Sequence, residues 1–158
     1  MGRVTRLVTA LVLAGAVFLL DQGLKSLVEG SMRIGESINI IPNVLDLTYI
    51  KNSGGAFGIL EGQSWLLLVG SAVAVGAVLW ILLAGAPSLL TTIGCGLLLG
   101  GAAGNLLDRL SSGEVTDYIH FRFWYIFNAA DAGIVIGVAL LLISALLPEK
   151  ATRGRSTV

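Results

Sequence analysis

The hydrophobic residues of this chain lie in long uninterrupted runs, and most polar residues are gathered between those runs. The longest run, residues 62–107, contains no Asp, Glu, Lys or Arg. A membrane-spanning helix needs about 20 mostly apolar residues, so this run is long enough for two helices. Gly85 and Pro87 favour a turn inside it. We therefore predict membrane spans at residues 64–84 and 88–107.

Two further runs lie near the ends of the chain. Residues 131–148 carry one charged residue, at the first position, and predict a span. Residues 7–20 follow Arg3 and Arg6 and, taken alone, resemble the core of a signal peptide. No small-x-small cleavage site followed by a polar mature domain comes after them. Extending the helix gives residues 7–28, roughly 33 Å at about 1.5 Å per residue, so we expect an uncleaved first span.

Basic residues indicate how these four spans cross the membrane. Arg3 and Arg6 precede the first span, and Lys150, Arg153 and Arg155 follow the fourth, whereas the turn between the second and third is uncharged. Because cytoplasmic segments carry the excess of Lys and Arg, both termini are predicted to be cytoplasmic, with residues 29–63 and 108–131 outside. All acidic residues except Glu149 lie at or beyond that outer boundary. Polar chemistry is therefore expected at the extracytoplasmic face.

The two outer segments have different patterns. The first contains β-rich stretches at Ser37–Ile41 and residues 45–50, and the Pro-Asn pair between them favours a turn, so we predict a small hairpin at the membrane surface. The second contains "FRFWYIF" (residues 121–127), which matches the aromatic belt of membrane interfaces. The predicted fold class is an all-α membrane protein of one domain, residues 1–158. It has four transmembrane helices, a small extracytoplasmic β-hairpin and an interfacial segment.

Composition narrows the possible functions. Charged residues make up 13% of the chain and the formal net charge is zero, which argues against nucleic-acid binding. The single cysteine, Cys95, excludes an internal disulfide. One histidine and one mid-span cysteine also argue against a zinc site, so no metal is expected.

Four polar residues are paired at helical spacing near the outer ends of spans one and three. Asp21 and Lys25 lie on one helical face in the favourable acid-before-base order. They are either an interfacial pair with Lys25 reaching outward, or an anchor for a polar substrate group, since ionisable residues within spans are usually functional. Asn105 and Arg109 repeat the spacing in "GNLLDR". Arg109 is either a boundary anchor or the partner of a specific acid such as Asp108.

Asp117 and Asp131 lie at the same outer boundary. One interpretation makes Asp117 a loop acid, and Asp131 an acid in the first turn of the fourth helix with Asn128 as its N-cap. The other makes the two aspartates a pair of catalytic carboxylates. No serine is placed convincingly beside a lysine or beside His120, which leaves no competing nucleophile. We interpret His120 as an interfacial polar residue.

Five short motifs follow one another along nearly the whole chain. They are "DQGLK" at residues 21–25, "KNSGGAFG" at 51–58, "GNLLDR" at 104–109, "VTDYI" at 115–119 and "FNAAD" at 127–131. In this order, on a four-span chain, they resemble the lipoprotein signal peptidases (signal peptidase II), a family of bacterial membrane aspartic proteases. One departure is Gly55, where the family usually has alanine. The change removes no functional group.

The resemblance implies a catalytic dyad of Asp117 and Asp131, without a metal or other cofactor. It implies that the substrates are prolipoproteins whose lipobox cysteine already carries diacylglycerol, cleaved just before that cysteine. It also implies inhibition by the cyclic peptide globomycin. We expect a monomer in contact with the lipids of the bacterial cytoplasmic (inner) membrane. Supporting or substrate-binding roles are implied for Asp21, Lys25, Asn52, Gly54, Asn105, Arg109 and Asn128.

A small ion- or proton-coupled transporter of four spans is the alternative. Asp21, Lys25 and Arg109 would then form an ion path. Such a path requires polar residues near the middle of the bilayer, whereas the second and third spans carry almost none there. The polar set gathers at one boundary instead, which favours the protease.

Overall fold

The computed structural model describes residues 2–54, 64–85 and 87–147. Within these residues the chain forms four helices, each long and apolar enough to cross a membrane, and one small antiparallel sheet. The predicted fold class is confirmed. In chain order the helices and strands are α1 (Arg3–Ser31), β1 (Ser37–Ile41), β2 (Leu45–Asn52), α2 (Ser64–Ala84), α3 (Leu89–Ser112), β3 (Val115–Phe121), β4 (Ile126–Phe127) and α4 (Ala129–Leu146).

Two helices extend beyond the predicted spans at the end that carries the polar residues. α1 continues past residue 28 to Ser31, and α3 continues past residue 107 to Ser112, so Arg109 lies within the helix. α3 ends at Gly113, whose φ of 79° is a left-handed conformation that glycine adopts without strain. The predicted end of the fourth span, residue 148, lies outside the described residues.

Helix α3 lies at the centre of the helical bundle and packs against α1, α2 and α4. Its contacts with α1 and α4 depend on glycine, because a side chain would collide with the neighbouring backbone. A Cβ atom at Gly96 would lie 2.9 Å from the carbonyl oxygen of Ala10 in α1. One at Gly94 would lie 2.9 Å from that of Gly137 in α4. Small residues of this kind let membrane helices approach closely.

The strands form one antiparallel sheet in the order β1-β2-β3-β4. The predicted hairpin is its first half, and its turn contains Asn43 with a φ of 59°, a left-handed conformation that asparagine tolerates. Strands β3 and β4 are not predicted from the sequence. The stretch at residues 121–127, interpreted as an interfacial segment, forms the end of β3, a turn and β4. Asp117 therefore lies on a strand, paired with Ile50 of β2, and not in a loop.

One face of the sheet packs on the end of α1. Val28 and Met32 of α1 form a buried apolar cluster with Tyr49 of β2 and Tyr118 of β3. β3 begins soon after α3 ends, and β4 leads through Asn128 into α4. The sheet is therefore fixed directly above the bundle, with β3 beside the first turn of α4.

Candidate active site

Asp117 is fully buried on β3, with 1% of its surface exposed. Both carboxylate oxygens accept a hydrogen bond from an asparagine amide. Asn52 Nδ2 donates to Asp117 Oδ2 at 2.7 Å, and Asn128 Nδ2 donates to Oδ1 at 2.6 Å. These short charge-assisted bonds hold the carboxyl group in one orientation.

Asp131 lies in the first turn of α4 and takes part in the capping of that helix. The predicted N-cap is observed: Asn128 Oδ1 accepts the backbone N–H of Asp131 at 2.9 Å. The backbone N–H of Asn128 donates in return to Asp131 Oδ2 at 3.2 Å, which completes a capping box. The second carboxylate oxygen, Oδ1, accepts Asn105 Nδ2 of α3 at 2.7 Å.

Asn128 is the residue that joins the two carboxylates. Its side chain is completely buried, caps the helix of Asp131 through the oxygen and binds Asp117 through the nitrogen. The same nitrogen lies 3.2 Å from Asn105 Oδ1 and 3.3 Å from the carbonyl oxygen of Thr116. An amide NH₂ has two hydrogens. One is donated to Asp117, so the two weaker contacts share the other. The structure therefore brings Asp117 and Asp131 to one site.

Burial and a like charge alter the acidity of Asp117. Burial, and secondly the nearby charge of Asp131, raise the pKa of Asp117 to about 7. Hydrogen bonds from Asn52 and Asn128 oppose this rise. Burial also raises the pKa of neighbouring Tyr118 to about 12, so its hydroxyl stays protonated. That hydroxyl accepts the backbone N–H of Ala129 at 3.2 Å. Near neutral pH, Asp117 is thus able to hold or release a proton.

The Asp21–Lys25 pair is buried behind the aspartates. Lys25 Nζ lies 2.7 Å from Asp21 Oδ2, and the two side chains are 4% and 0% exposed. Lys25 therefore points into the bundle and does not reach outward to the interface. It also donates to Asn105 Oδ1 at 2.9 Å. Asp21 Oδ1 accepts the backbone N–H of Ala130 at 2.9 Å, so α1 holds the first turn of α4 in place.

Two residues that the sequence analysis did not assign to the site complete this charged network. Asp108 Oδ2 forms an ion pair with Lys25 at 2.7 Å, so the acid considered as a partner for Arg109 pairs with Lys25. Gln22 Nε2 donates to Asp108 Oδ1 at 2.9 Å. Both lie inside the quoted motifs, but their contacts join α1 to α3 across more than 80 residues of sequence, and spacing alone carries no signal for them.

Asn52, the last residue of β2, contacts both Asp117 and the nearby Gly54. Asn52 Oδ1 accepts the backbone N–H of Gly54 at 3.0 Å while its nitrogen binds Asp117. This turn fixes the amide that contacts the carboxylate. The rest of the motif, residues 55–58, including the departure at Gly55, lies outside the described residues.

Arg109 and Asp131 line a cavity of about 370 Å³ between α2, α3 and α4. Arg109 Nη1 is 3.4 Å from the carbonyl oxygen of Asn105, which is a weak hydrogen bond. Asn105 and Ser71 also line the cavity, and the remainder of its wall is apolar. It consists of Leu66, Leu67, Gly70, Ala74, Leu98, Ala102, Ile134 and Val138.

His120 belongs to the sheet surface and not to this network. Its Nδ1 lies 3.2 Å from Thr48 Oγ1, and it pairs with Asp46 across the strands. Of the residues nominated from the sequence, Asn52 binds Asp117, Asn105 binds Asp131, and Asn128 joins the two aspartates. Lys25 and Asp21 lie directly behind them.

Comparisons with known proteins give a consistent result. Residues 9–147 match the family model described as signal peptidase (SPase) II. The lipoprotein signal peptidase of Halothermothrix orenii is 46% identical over 85% of this chain and 92% of its own length. That of Anoxybacillus flavithermus is 46% identical over 91% of this chain and 89% of its own. A solved bacterial membrane enzyme, 33% identical, superposes with a TM-score of 0.82 over 95% of this chain and 94% of its own.

Proposed function

The chain belongs to the signal peptidase II family, and we propose that it is an aspartic endopeptidase in which Asp117 and Asp131 are the catalytic pair. As a member of that family with four apolar helices, it is a multi-pass bacterial membrane protease. It removes the signal peptide from diacylglyceryl-modified prolipoproteins just before the lipidated cysteine. The observation that carries the aspartic mechanism is the buried Asn128 amide, which binds Asp117 and caps the helix of Asp131.

Two carboxyl groups that share a buried site keep one proton between them at neutral pH, because ionising both is unfavourable. The ionised group accepts a proton from a water molecule as the water oxygen attacks the scissile carbonyl carbon. The protonated group donates a hydrogen bond to the carbonyl oxygen, and a proton then passes to the leaving amine as the C–N bond breaks. The pair titrates as a unit, so either aspartate fills either role at this level of description.

The surrounding polar residues hold the pair and the peptide. Asn52, Asn105 and Asn128 orient the carboxylates through the bonds described above. Arg109 lines the polar end of the cavity and is suited to bind a carbonyl oxygen of the substrate backbone. The apolar wall of the same cavity suits the hydrophobic part of a membrane-inserted substrate. Asp21, Lys25 and Gly54 act through the residues that they position.

The proposal also includes the orientation of the protein in the membrane. Both termini are cytoplasmic, the aspartates lie at the extracytoplasmic face of the inner membrane, and the chain works as one peptidase domain, as a monomer among lipids. Globomycin is the inhibitor expected to occupy the site. The transporter alternative is not favoured, because the charged network lies at one end of the helices and the chain belongs to a peptidase family.

The purified protein in lipid or detergent tests this function with two matched precursors. One is a prolipoprotein carrying diacylglycerol on its lipobox cysteine, and the other is the same chain with an unmodified cysteine. We expect cleavage of the lipidated precursor alone, blocked by globomycin. Equal cleavage of both precursors would contradict the substrate assignment, and no cleavage of either would contradict the activity.

A further inference from the structure

Lys25 carries a buried positive charge next to the aspartate pair, and it is paired with two carboxylates rather than one. The ammonium group lies within hydrogen-bond distance of three acceptors: Asp21 Oδ2 and Asp108 Oδ2, both at 2.7 Å, and Asn105 Oδ1 at 2.9 Å. Lys25 donates a hydrogen bond to Asn105, whereas the two carboxylates are its ion-pair partners, and Asp108 Oδ2 accepts no hydrogen bond from the described residues. One cation is thus paired with two carboxylates, and its hydrogen bond goes to the amide that orients Asp131.

We propose that Asp108 is a positioning residue that holds Lys25 against Asn105 and balances its charge, and thereby sets the pH range in which the aspartate pair works. The inference rests on the proposed catalytic role of that pair. Asp108 is itself fixed: its side chain is 12% exposed, and its second oxygen accepts Gln22 Nε2 at 2.9 Å. It touches neither catalytic carboxylate in these contacts, so it acts through Lys25.

Asp21 alone does not provide the same balance. Its Oδ1 is committed to the backbone N–H of Ala130, where it faces the positive end of the α4 dipole. Its remaining oxygen meets Lys25 from the α1 side. Asp108 approaches Lys25 from α3, the helix that also carries Asn105. Without the negative charge of Asp108, the positive charge of Lys25 is less compensated and acts more strongly on Asp117 and Asp131. Lys25 is also held less firmly beside Asn105.

The direction of the effect follows from the charges around the pair. A more positive neighbourhood favours ionised carboxylates, and Lys25 already lowers the pKa of Asp117. Removal of Asp108 therefore moves both limbs of the bell-shaped activity profile to lower pH. Lys51 of β2 is paired with Glu29 and is not part of this balance. Among the described residues, the titratable or charged groups that face the pair are Asp21 and Lys25 of α1, Asp108 and Arg109 of α3, Tyr118 of β3, and Tyr125 just before β4.

Asp108→Asn tests the proposal because it removes the charge and keeps the size of the side chain. We expect the activity profile to shift by about 0.5 to 1 pH unit toward acid, as for the loss of one nearby charge at an effective dielectric constant of about 20. kcat should fall more than KM rises, because Asp108 is not among the described residues that line the cavity. Asp108→Glu should restore the profile, and Glu114→Gln, an acid just beyond α3, serves as the matched control with an unchanged profile.

Gln22→Glu provides an independent variant if Asp108→Asn fails to fold, since Gln22 lies on the partly exposed side of the network. It adds negative charge beside Asp108, so its profile should move toward higher pH. Thermal unfolding of each variant in detergent separates folding defects from changed activity. Profiles that stay at the wild-type position in folded Asp108→Asn and Gln22→Glu would overturn the proposal. Asp117→Asn, assayed in parallel, shows separately whether the aspartate pair is catalytic at all.

Discussion

The side chain of Asn128 has two functions in the site, capping of a helix and binding of a carboxylate. Its oxygen caps α4, and its nitrogen binds Asp117. The cap was one of two interpretations drawn from the sequence, because an asparagine three residues before an acid at a helix start is a recognisable pattern. The bond to Asp117 depends on the pairing of β3 with β2, which no local pattern specifies. Asp117 and Asp131 themselves were nominated from the sequence, whereas Asp108 and Gln22 were not.

Asn128→Ser should separate these two functions. Serine is also a good N-cap, so α4 keeps its capping bond to within about 1 kcal/mol, but the hydroxyl that caps the helix no longer binds Asp117. We expect near wild-type thermal stability and a loss of kcat of about 10- to 100-fold, the range for one hydrogen bond to a charged group. Ser88→Asn, which exchanges the cap of α3, is the control for cap substitution. Full activity of Asn128→Ser would show that the bridge is dispensable.

Asp117→Asn should stabilise the protein in a pH-dependent manner. Because the pKa of Asp117 is raised from 3.8 to about 7, the folded protein binds more protons than the unfolded chain between these values. Wild-type stability therefore falls as pH rises through this range, and asparagine avoids that cost. The gain above about pH 8 has an upper limit of roughly 4 kcal/mol, from about three pKa units at about 1.4 kcal/mol each.

Thermal unfolding in detergent at about pH 4 and about pH 8 measures this difference. The gain should be near zero at the lower pH and largest at the higher one. Glu36→Gln, at an exposed acid, is the control and should change little at either pH. A gain of equal size at both values would mean that ionisation of Asp117 is not its cause.

Among the helices and strands, the four membrane helices could be predicted because the length of an apolar run is enough to identify them. Runs of about 20 apolar residues identify membrane helices without knowledge of their neighbours. β3 and β4 escaped prediction because "VTDYIHF" mixes polar and apolar residues on both faces, and "FRFWYIF" has the composition of an interfacial belt. Their pairing with β2 is a long-range property. The site depends on it, because β3 carries Asp117 to the start of α4.

Helix packing gives a prediction with an internal control. A Cβ atom at Gly101 of α3 would collide with the carbonyl oxygen of Ala130, in the turn of α4 that carries Asp131. Gly101→Ala should therefore destabilise the fold by about 1–3 kcal/mol and reduce activity through displacement of Asp131. Gly76→Ala in α2, where an added Cβ atom would meet nothing within 4 Å beyond the adjoining residues and backbone of its own helix, should have neither effect. Thermal unfolding and cleavage rates of the two variants decide, and equal behaviour would contradict the close packing.

As a membrane protein, the chain has a polar site at one end of an apolar bundle. Sequence length, hydropathy and the five motifs were sufficient to predict this arrangement. The charge bias predicts in addition that the site faces outward. The sequence did not show how deeply the charged network is buried. Lys25 was an equal candidate for an outward-reaching residue, but its side chain is buried in the structure.

Cysteine labelling tests the orientation. In a Cys95→Ser background, Ser111→Cys at the exposed end of α3 should react with a membrane-impermeant maleimide in sealed right-side-out vesicles. Gly2→Cys, before α1, should react only after the vesicles are opened. The opposite pattern would place the aspartates on the cytoplasmic side.

The catalytic roles of Asp117 and Asp131 are the central claim, and one measurement tests it most directly. Asp117→Asn, Asp131→Asn and the control Asp46→Asn are purified, checked for folding by thermal unfolding, and incubated with a diacylglyceryl-modified precursor. We predict that each dyad variant folds but cleaves at least about 10³-fold more slowly than wild type, whereas the control, an acid of the same sheet paired with Arg122, remains active. Turnover near the wild-type rate by either folded dyad variant would contradict the account.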